Sequence, residues 1–246
     1  MDVISILGAA AAIFAASFFS TISGFGFALI ATPFLAMVMP LKTAIVFVLL
    51  VTMILRATTM LRTRKEFDWA TVLMTTFGCF VGMVPGSLVL KLMPVALLQK
   101  LLACVLLAAT VLMSLQYTLK ISNVTLGRIG AGVLSGFFGS ATSVGGPPLV
   151  LYFLNEKTEK SLMRANMIWI FGLSSFLTAI TYYLAGNMQE IREWSLLLPM
   201  LPSVFVGIWL GERMFYRLNQ HLFRRLSLIV VFCGAFLMLL EGFGLL

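Results

Sequence analysis

Long apolar runs follow one another along almost the whole chain, and only short polar loops separate them. Hydrophobic residues make up 61% of the sequence and charged residues 11%, whereas a soluble protein carries roughly 25% charged residues. A segment that crosses lipid must satisfy its own backbone hydrogen bonds, which an α-helix does. The sequence therefore predicts an all-α integral membrane protein that lies in a lipid bilayer.

The chain divides into about ten apolar segments. A helix that crosses a bilayer needs ~20 residues, and most of the segments reach that length. Three are shorter, and we expect them to be broken helices or hairpins that dip into the membrane: 26–41, 125–138 and 144–155. The other segments are predicted at about residues 3–22, 43–61, 70–90, 95–117, 162–185, 194–216 and 221–243.

The second half of the sequence repeats features of the first half in the same order. We interpret this order as an internal duplication, with repeats at residues 1–120 and 121–246. Each repeat has five segments, an odd number, so we expect the second repeat to be inverted in the membrane. The matched features are Asp68-Trp69 with Glu193-Trp194, Gly82 with Gly207, Gly86 with Gly211, Lys100 with Arg225 and, at a shorter offset, Ser23-Gly24-Phe25 with Ser135-Gly136-Phe137.

The basic residues are unevenly divided between the two sides of the predicted membrane. Loops that follow the odd-numbered segments hold twelve lysines and arginines, and the other side holds four. By the positive-inside rule the richer side is cytoplasmic, so both termini lie outside. The net charge of +8 is thereby explained by topology, and we expect no nucleic-acid partner.

Two stretches rich in glycine, proline and hydroxyl residues interrupt the apolar pattern, SGFGFALIATP at 23–33 and SGFFGSATSVGGPP at 135–148. Glycine permits backbone conformations that other residues avoid, and proline removes a helical hydrogen bond. We therefore predict a helix break in each stretch. A broken helix restarts with free N–H groups at the positive end of its dipole, and these attract anions.

In transporters with inverted repeats, such breaks place a binding site near the membrane midplane. We predict that backbone N–H groups and hydroxyls of both breaks bind a small anion there. Close packing of helices is the alternative role for small residues in a membrane. The predicted substrate-binding residues in the two stretches are Ser23, Gly24, Gly26, Thr32, Ser140, Thr142, Ser143, Gly145 and Gly146.

Arg56 lies inside the apolar run that ends at about residue 61. An arginine within a membrane is costly and usually faces a cavity or a partner, so we predict that Arg56 is a counter-charge for the anion. The alternative is that its side chain snorkels to the surface beside Arg62 and Arg64. In the segment after the second stretch, we interpret Arg164 as a topogenic charge and include Asn166 among the site residues.

Enzymatic and metal chemistry finds no support in the sequence. The single histidine, His221, lies in a basic loop without an adjacent nucleophile, and the three cysteines are scattered through apolar runs. No acidic residue lies in the middle of an apolar run, so a carboxylate proton relay has no place. We expect no catalytic residue, no bound metal and no cofactor.

The segments SGFGFALIATPFLAMVMP and SGFFGSATSVGGPPLVLYFL resemble those of the TauE/SafE family of sulfite and organosulfonate exporters, and the resemblance extends over essentially the whole chain. It implies a multi-pass transporter of the bacterial inner membrane, so the outer side to which the charge bias assigns both termini is the periplasm. The implied activity is transport, usually outward, of a small sulfur-containing anion such as sulfite or sulfoacetate. From the inverted repeats we expect alternating access around the site.

Two other functions remain open from the sequence. A transporter of the same architecture could carry a carboxylate or an amino acid, and it could work as an importer. A membrane scaffold without transport activity could use the small residues for helix packing alone. A homodimer is compatible with the sequence.

Overall fold

The computed structural model describes residues 3–36, 39, 41–92, 97, 100, 103–104, 107–108, 110–111, 114, 123–142, 145–184 and 197–243. Every regular element in these ranges is an α-helix, which confirms the predicted all-α class. The helices are α1 Val3–Ser23, α2 Phe27–Ala36, α3 Leu41–Thr63, α4 Trp69–Leu92, α5 Val124–Thr142, α6 Gly146–Asn155, α7 Lys160–Leu184, α8 Leu197–Arg217 and α9 Gln220–Gly242.

These helices coincide with the predicted segments to within a few residues. The short runs at 26–41 and 144–155 form the ten-residue helices α2 and α6. The predicted short run at 125–138 is instead a regular helix of 19 residues, in which Gly132 and Gly136 pack against α4 and do not interrupt the helix. The predicted segment at 95–117 lies largely outside the described residues.

Within the described part of the chain, three helices are long and apolar enough to cross a membrane. Their spanning windows are Val46–Thr63 in α3, Trp69–Gly86 in α4 and Lys160–Ile180 in α7. Helix α4 also exposes large apolar side chains, including Phe77, Phe80 and Leu88. A face of this kind suits contact with lipid, because lipid tails solvate apolar side chains. The chain is thus a multi-pass membrane protein.

The chain folds into two compact units, and each unit is discontinuous in sequence. Unit 1 comprises residues 1–67 and 164–218, and unit 2 comprises residues 68–163 and 219–246. Each unit therefore contains helices from both predicted repeats. The boundary predicted near residue 120 concerns duplication of the sequence, and it stays a prediction.

Unit 2 contains a closely packed pair formed by α4 and α5. A Cβ atom at Gly136 of α5 would lie 2.7 Å from the Cys79 carbonyl carbon, and one at Gly82 of α4 would lie 2.9 Å from the Phe137 nitrogen. No side chain fits in either place, so these glycines let the two backbones approach. Packing of helices is therefore one established role of the second glycine-rich stretch.

Unit 1 contains a pair of the same kind, formed by α1 and α8. A Cβ atom at Gly207 of α8 would lie 2.8 Å from the Phe14 oxygen and 3.0 Å from the Phe18 nitrogen. Gly82 faces the corresponding backbone atoms of Val133 and Phe137 in unit 2. Gly82 and Gly207 thus occupy equivalent positions, as the sequence match proposed.

The contacts of Gly82 and Gly207 also correct the predicted match of Ser23-Gly24-Phe25 with Ser135-Gly136-Phe137. Val133 and Phe14 are 119 positions apart, as are Phe137 and Phe18, so α1 and α5 correspond at an offset of 119 residues. The ten-residue helices α2 and α6 begin at Phe27 and Gly146, also 119 positions apart. Ser23-Gly24-Phe25 therefore corresponds to residues 142–144, and its likeness to Ser135-Gly136-Phe137 is a coincidence of three letters.

The apolar core of unit 1 joins four of its helices. Its members come from α1, α2, α3 and α8, with Met39 between α2 and α3, and are almost fully buried. Because Phe27, Ala31 and Leu35 belong to it, this core holds the short helix α2 in place directly after the break. Its larger side chains are Ile13, Phe27, Leu35, Phe47, Leu55, Val204 and Ile208.

Candidate anion-binding site

The first glycine-rich stretch contains a sharp turn between α1 and α2. Gly24 and Gly26 have φ angles of +80° and +87°, a region that glycine adopts without steric cost. The Ser23 hydroxyl lies 2.7 Å from the Phe19 oxygen and 2.9 Å from the Phe25 oxygen, and both carbonyls can accept its hydrogen. Ser23 therefore satisfies backbone groups that the break leaves unpaired.

Helix α7 passes directly against this turn. A Cβ atom at Gly24 would lie 2.9 Å from the Arg164 oxygen and 3.2 Å from the Met167 Cβ. Any residue other than glycine would push the two backbones apart. The break thus serves to bring the start of α7, and with it Arg164, against the C-terminal turn of α1.

Arg164 is buried inside unit 1, with 2% of its surface exposed. Its Nε donates to the Thr21 oxygen at 2.7 Å, and its guanidinium lies 4.2 Å from the ring centroid of Phe215. Its Nη2 is 3.9 Å from a carboxylate oxygen of Glu212. The interpretation of Arg164 as a surface topogenic charge is wrong, because the side chain turns inward to these partners.

Glu212 is shared between two arginines. Its other carboxylate oxygen forms an ion pair with Arg62, whose side chain is 52% exposed. The carboxylate itself is only 15% exposed. A chain of charges thus runs from the surface at Arg62, through Glu212, to the buried Arg164.

Arg56 is the second buried arginine of unit 1, and it is also 2% exposed. It lies near the middle of the Val46–Thr63 window. Its Nη2 donates to the Ser20 hydroxyl at 3.1 Å, and its guanidinium lies 5.8 Å from the Phe171 ring centroid. The side chain therefore does not snorkel to the surface, and it faces α1 and α7.

The guanidinium of Arg56 is incompletely satisfied. Its Nε and Nη1 are buried and have no hydrogen-bond partner among the described residues. Buried polar groups are nearly always paired, and an unpaired charged donor is especially costly. The arrangement therefore favours an anion that accepts hydrogen bonds from these two nitrogens.

The two buried arginines bind consecutive residues of α1. Arg56 donates to the Ser20 side chain and Arg164 to the Thr21 backbone oxygen. The C-terminal carbonyls of a helix carry partial negative charge, which stabilises nearby cations. Glu212 is the one carboxylate that ion-pairs with either arginine among the described residues. The interior of unit 1 consequently carries excess positive charge.

Two further hydroxyls lie on the same helix faces as these groups. Thr52 precedes Arg56 by one turn of α3, and Ser174 follows Phe171 by three residues on α7. Residues at these spacings share a face of a helix. The hydroxyl oxygens of Thr52 and Ser174 are buried without a partner among the described residues. Sequence analysis missed both; Thr52 carried a usable signal in its spacing of four residues from Arg56, and Ser174 carried none.

The remaining predicted site residues of unit 1 lie on α2 and α7. Thr32 is half-buried in α2, and Asn166 is 1% exposed in α7. Ser23, Gly24, Gly26 and Arg56 have been described above. The structure thus brings the first break, Arg56 and α7 together in one unit.

The second break lies in unit 2, between α5 and α6. Ser140 lies inside α5, where its hydroxyl contacts the Met83 and Gly136 oxygens. The Ser135 hydroxyl donates to the Gly145 oxygen at 2.6 Å, and α6 begins at Gly146, followed by two prolines. Thr142 ends α5, and Ser143 lies outside the described residues. The contribution of this break to an anion site stays a prediction.

Comparison with known proteins decides the family. The model of the family described as sulfite exporter TauE/SafE matches residues 9–238. The chain belongs to the TauE/SafE sulfite exporter family. The resemblance inferred from the two glycine-rich segments is thereby confirmed.

A curated relative extends the comparison to the full length. The probable sulfite/organosulfonate exporter TauE of Cupriavidus necator is 27% identical over 246 residues, which cover 95% of this chain and 94% of the relative. No solved structure matches the chain. Membership in an exporter family fits the expectation of a membrane transporter that is not an enzyme.

Proposed function

We propose that this protein exports a small sulfur-containing anion, either sulfite or an organosulfonate such as sulfoacetate, across the bacterial inner membrane. The proposal rests on the environment of Arg56. This residue is a buried cation, and two of its donor nitrogens lack partners among the described residues. The family and the name of the curated relative support the substrate class.

The chemistry of the site suits a sulfite or sulfonate head. A guanidinium presents parallel N–H donors that match two oxygens of an oxyanion. In the proposal, Nε or Nη1 of Arg56 donates to one oxygen of the anion, and the second hydrogen of Nη2 donates to another, while the first Nη2 hydrogen remains on Ser20. The Thr52 and Ser174 hydroxyls donate further hydrogen bonds from the neighbouring helical turns.

The proposed transport mechanism is alternating access around this site. The equivalent registers of α1 with α8 and of α5 with α4 support an internal repeat. An odd number of segments in each repeat makes the second one inverted, as in many secondary transporters. The charge bias of the loops supports a periplasmic position for both termini.

Outward movement of an anion needs no coupled proton. A membrane potential that is negative inside favours export by about 2.3 kcal/mol per charge per 100 mV. The sequence has no acidic residue in the middle of an apolar run, which agrees with export that is not coupled to proton transfer. We therefore propose that the potential drives export.

A thermal-shift screen of purified protein in detergent tests the proposal. The ligands are sulfite, sulfoacetate, taurine, acetate and sulfate, because a ligand that binds only the folded state raises the unfolding temperature. We expect saturable stabilisation by sulfite or sulfoacetate. Arg56→Lys should abolish it, since lysine cannot bind two oxygens in a fixed plane, whereas Arg64→Lys in the exposed turn should not.

The same screen separates the other candidate functions. Stabilisation by acetate alone would assign a carboxylate substrate, and stabilisation by taurine alone would assign a zwitterion. No stabilisation by any of these ligands would contradict the anion site and leave the glycines as packing residues. Thr142→Val combined with Ser143→Ala tests the second break, since unchanged affinity would remove these hydroxyls from the proposed site.

A further inference from the structure

A groove in unit 2 lies beside the N-terminal half of α9. It has a volume of about 470 Å³. Its polar end is lined by His221, Arg224 and Arg225. Arg224 and Arg225 follow His221 by three and four residues, so both lie on the same side of α9 as His221.

The same helix face becomes apolar further along the groove. Ile229 and Phe232 continue the stripe that begins at His221, and they are 55% and 44% exposed. Thr110 and Ser114 also line the groove. The groove therefore joins a basic end to an exposed apolar end along two to three turns of helix.

This order of side chains matches the order of groups in a phospholipid. A phosphodiester accepts charge-assisted hydrogen bonds from guanidinium groups, and an acyl chain covers exposed apolar surface. Basic pockets between membrane helices on the cytoplasmic side characteristically bind anionic head groups. The basic end of α9 follows the ninth predicted segment and so belongs to the predicted cytoplasmic side.

We propose that this groove binds an anionic phospholipid. Arg224 and Arg225 hold the phosphate, His221 contacts the polar head group, and Ile229 and Phe232 contact the acyl chain. A free phosphate would use only the basic end and would leave the apolar end exposed. The continuous stripe therefore favours a lipid as the occupant. The site is independent of the proposed export function.

Lipid titrations of the detergent-purified protein test this proposal. The probes are dioleoylphosphatidylglycerol, dioleoylphosphatidylcholine and inorganic phosphate, and the readout is the shift in unfolding temperature. We expect a saturable shift with phosphatidylglycerol, a smaller shift with phosphatidylcholine and none with phosphate. Arg224→Gln with Arg225→Gln should raise the half-maximal phosphatidylglycerol concentration about tenfold or more.

A matched charge change elsewhere provides the control. Arg64 and Lys65 are adjacent, exposed and on the same predicted side. Arg64→Gln with Lys65→Gln should change the half-maximal concentration by less than about twofold, because neither residue lines the groove and exposed charges are screened by salt. An equal loss in both double variants would overturn the proposal in favour of general charge attraction.

The wild-type protein supplies outcomes that do not depend on the variants. Equal shifts with phosphatidylglycerol and phosphatidylcholine would overturn the anionic specificity. A full shift with inorganic phosphate would show that the groove binds a free anion and not a lipid. These comparisons decide the proposal even if the Arg224/Arg225 variant fails to fold.

Discussion

Arg56 of α3 donates a hydrogen bond to the hydroxyl of Ser20 in α1 at 3.1 Å, across 36 positions of sequence. The next residue of α1, Thr21, accepts from Arg164 of α7 at 2.7 Å. One helix turn thus fixes two buried cations. The turn lies immediately before the break at Gly24, which explains why a break at this place matters for the charges of unit 1.

Arg56→Met should leave the folded protein as stable as before or make it more stable. Replacing a buried charge by an apolar residue of similar volume is often neutral or stabilising by about 1–4 kcal/mol. The same variant should lose all stabilisation by sulfite and sulfoacetate. Thermal unfolding in detergent with and without ligand measures both effects. A variant that is much less stable yet still binds the anion would assign Arg56 a purely structural role.

Gly24→Ala should destabilise the protein. The φ angle of +80° costs a residue with a Cβ about 1–2 kcal/mol, and the added carbon would lie 2.9 Å from the Arg164 oxygen. Gly8→Ala in α1, the helix that precedes this turn, is the control, because a Cβ there meets nothing within 4 Å. Alanine at position 8 should be neutral or stabilising by up to about 1 kcal/mol. Equal effects of the two substitutions on the unfolding temperature would contradict the described turn.

Gly136→Ala should separate α4 from α5 in unit 2. Overpacking of this kind costs typically about 1–3 kcal/mol, since the new Cβ would lie 2.7 Å from the Cys79 carbonyl carbon. Gly130→Ala lies on the same helix and meets nothing within 4 Å, so it should not destabilise. The difference in unfolding temperature between the two variants measures the packing. Similar temperatures would mean that the helices are not in close contact.

Glu212→Gln should destabilise the protein more than Arg62→Gln. The first change leaves Arg164 without its carboxylate, and removing one partner of a fully buried ion pair costs roughly 3–5 kcal/mol. We expect less here because Glu212 is 15% exposed. The second change removes a half-exposed partner, for which the cost is about 0–1 kcal/mol. The reverse order of the two unfolding temperatures would show that Glu212 does not neutralise Arg164.

Asp68 caps the start of α4, and its contribution to stability should depend on pH. The Thr71 hydroxyl lowers the pKa of the Asp68 carboxyl, with further contributions from the backbone N–H groups of Thr71 and Ala70 and from Arg128. Because the pKa is lowered in the folded protein, this stabilisation is complete at pH values above the pKa of the Asp68 carboxyl in the unfolded chain, about 3.9. It is lost as the pH falls through the lower pKa of the folded protein. Asp68→Ala should cost about 0.5–2 kcal/mol near neutral pH.

Unfolding measured from neutral to acidic pH checks this dependence. The difference between the wild type and Asp68→Ala should shrink in acid, because the protonated carboxyl no longer accepts these hydrogen bonds as a charged group. A difference that stays constant with pH would exclude the titration of Asp68 as its source.

The helix boundaries could be predicted because they depend on local pattern. Apolar runs of the length of a bilayer and glycine or proline at their ends are visible in the sequence, and α1, α3 and α4 begin and end close to the predicted residues. The match of Gly82 with Gly207 was also readable, since both glycines serve the same close contact in their units.

The alignment of the breaks could not be predicted in the same way. The shared tripeptide Ser-Gly-Phe suggested that Ser23 corresponds to Ser135. The helix contacts give an offset of 119 residues, by which Ser23 corresponds to Thr142. The difference arises because Gly136 faces α4, where a small residue is needed, and has no role in a turn. A short motif cannot distinguish these two uses of glycine.

The sequence by itself determined that this is a helical membrane protein of the TauE/SafE family with an arginine inside its third apolar segment. Only the tertiary structure decided that Arg56 and Arg164 are both buried, that Arg164 turns inward to Thr21 and Phe215, and that Nε and Nη1 of Arg56 lack partners among the described residues. Hydrophobic length and glycine content are properties of neighbouring residues. The satisfaction of a buried charge depends on groups that lie 36 positions away for Arg56 and 143 for Arg164, which only packing brings together.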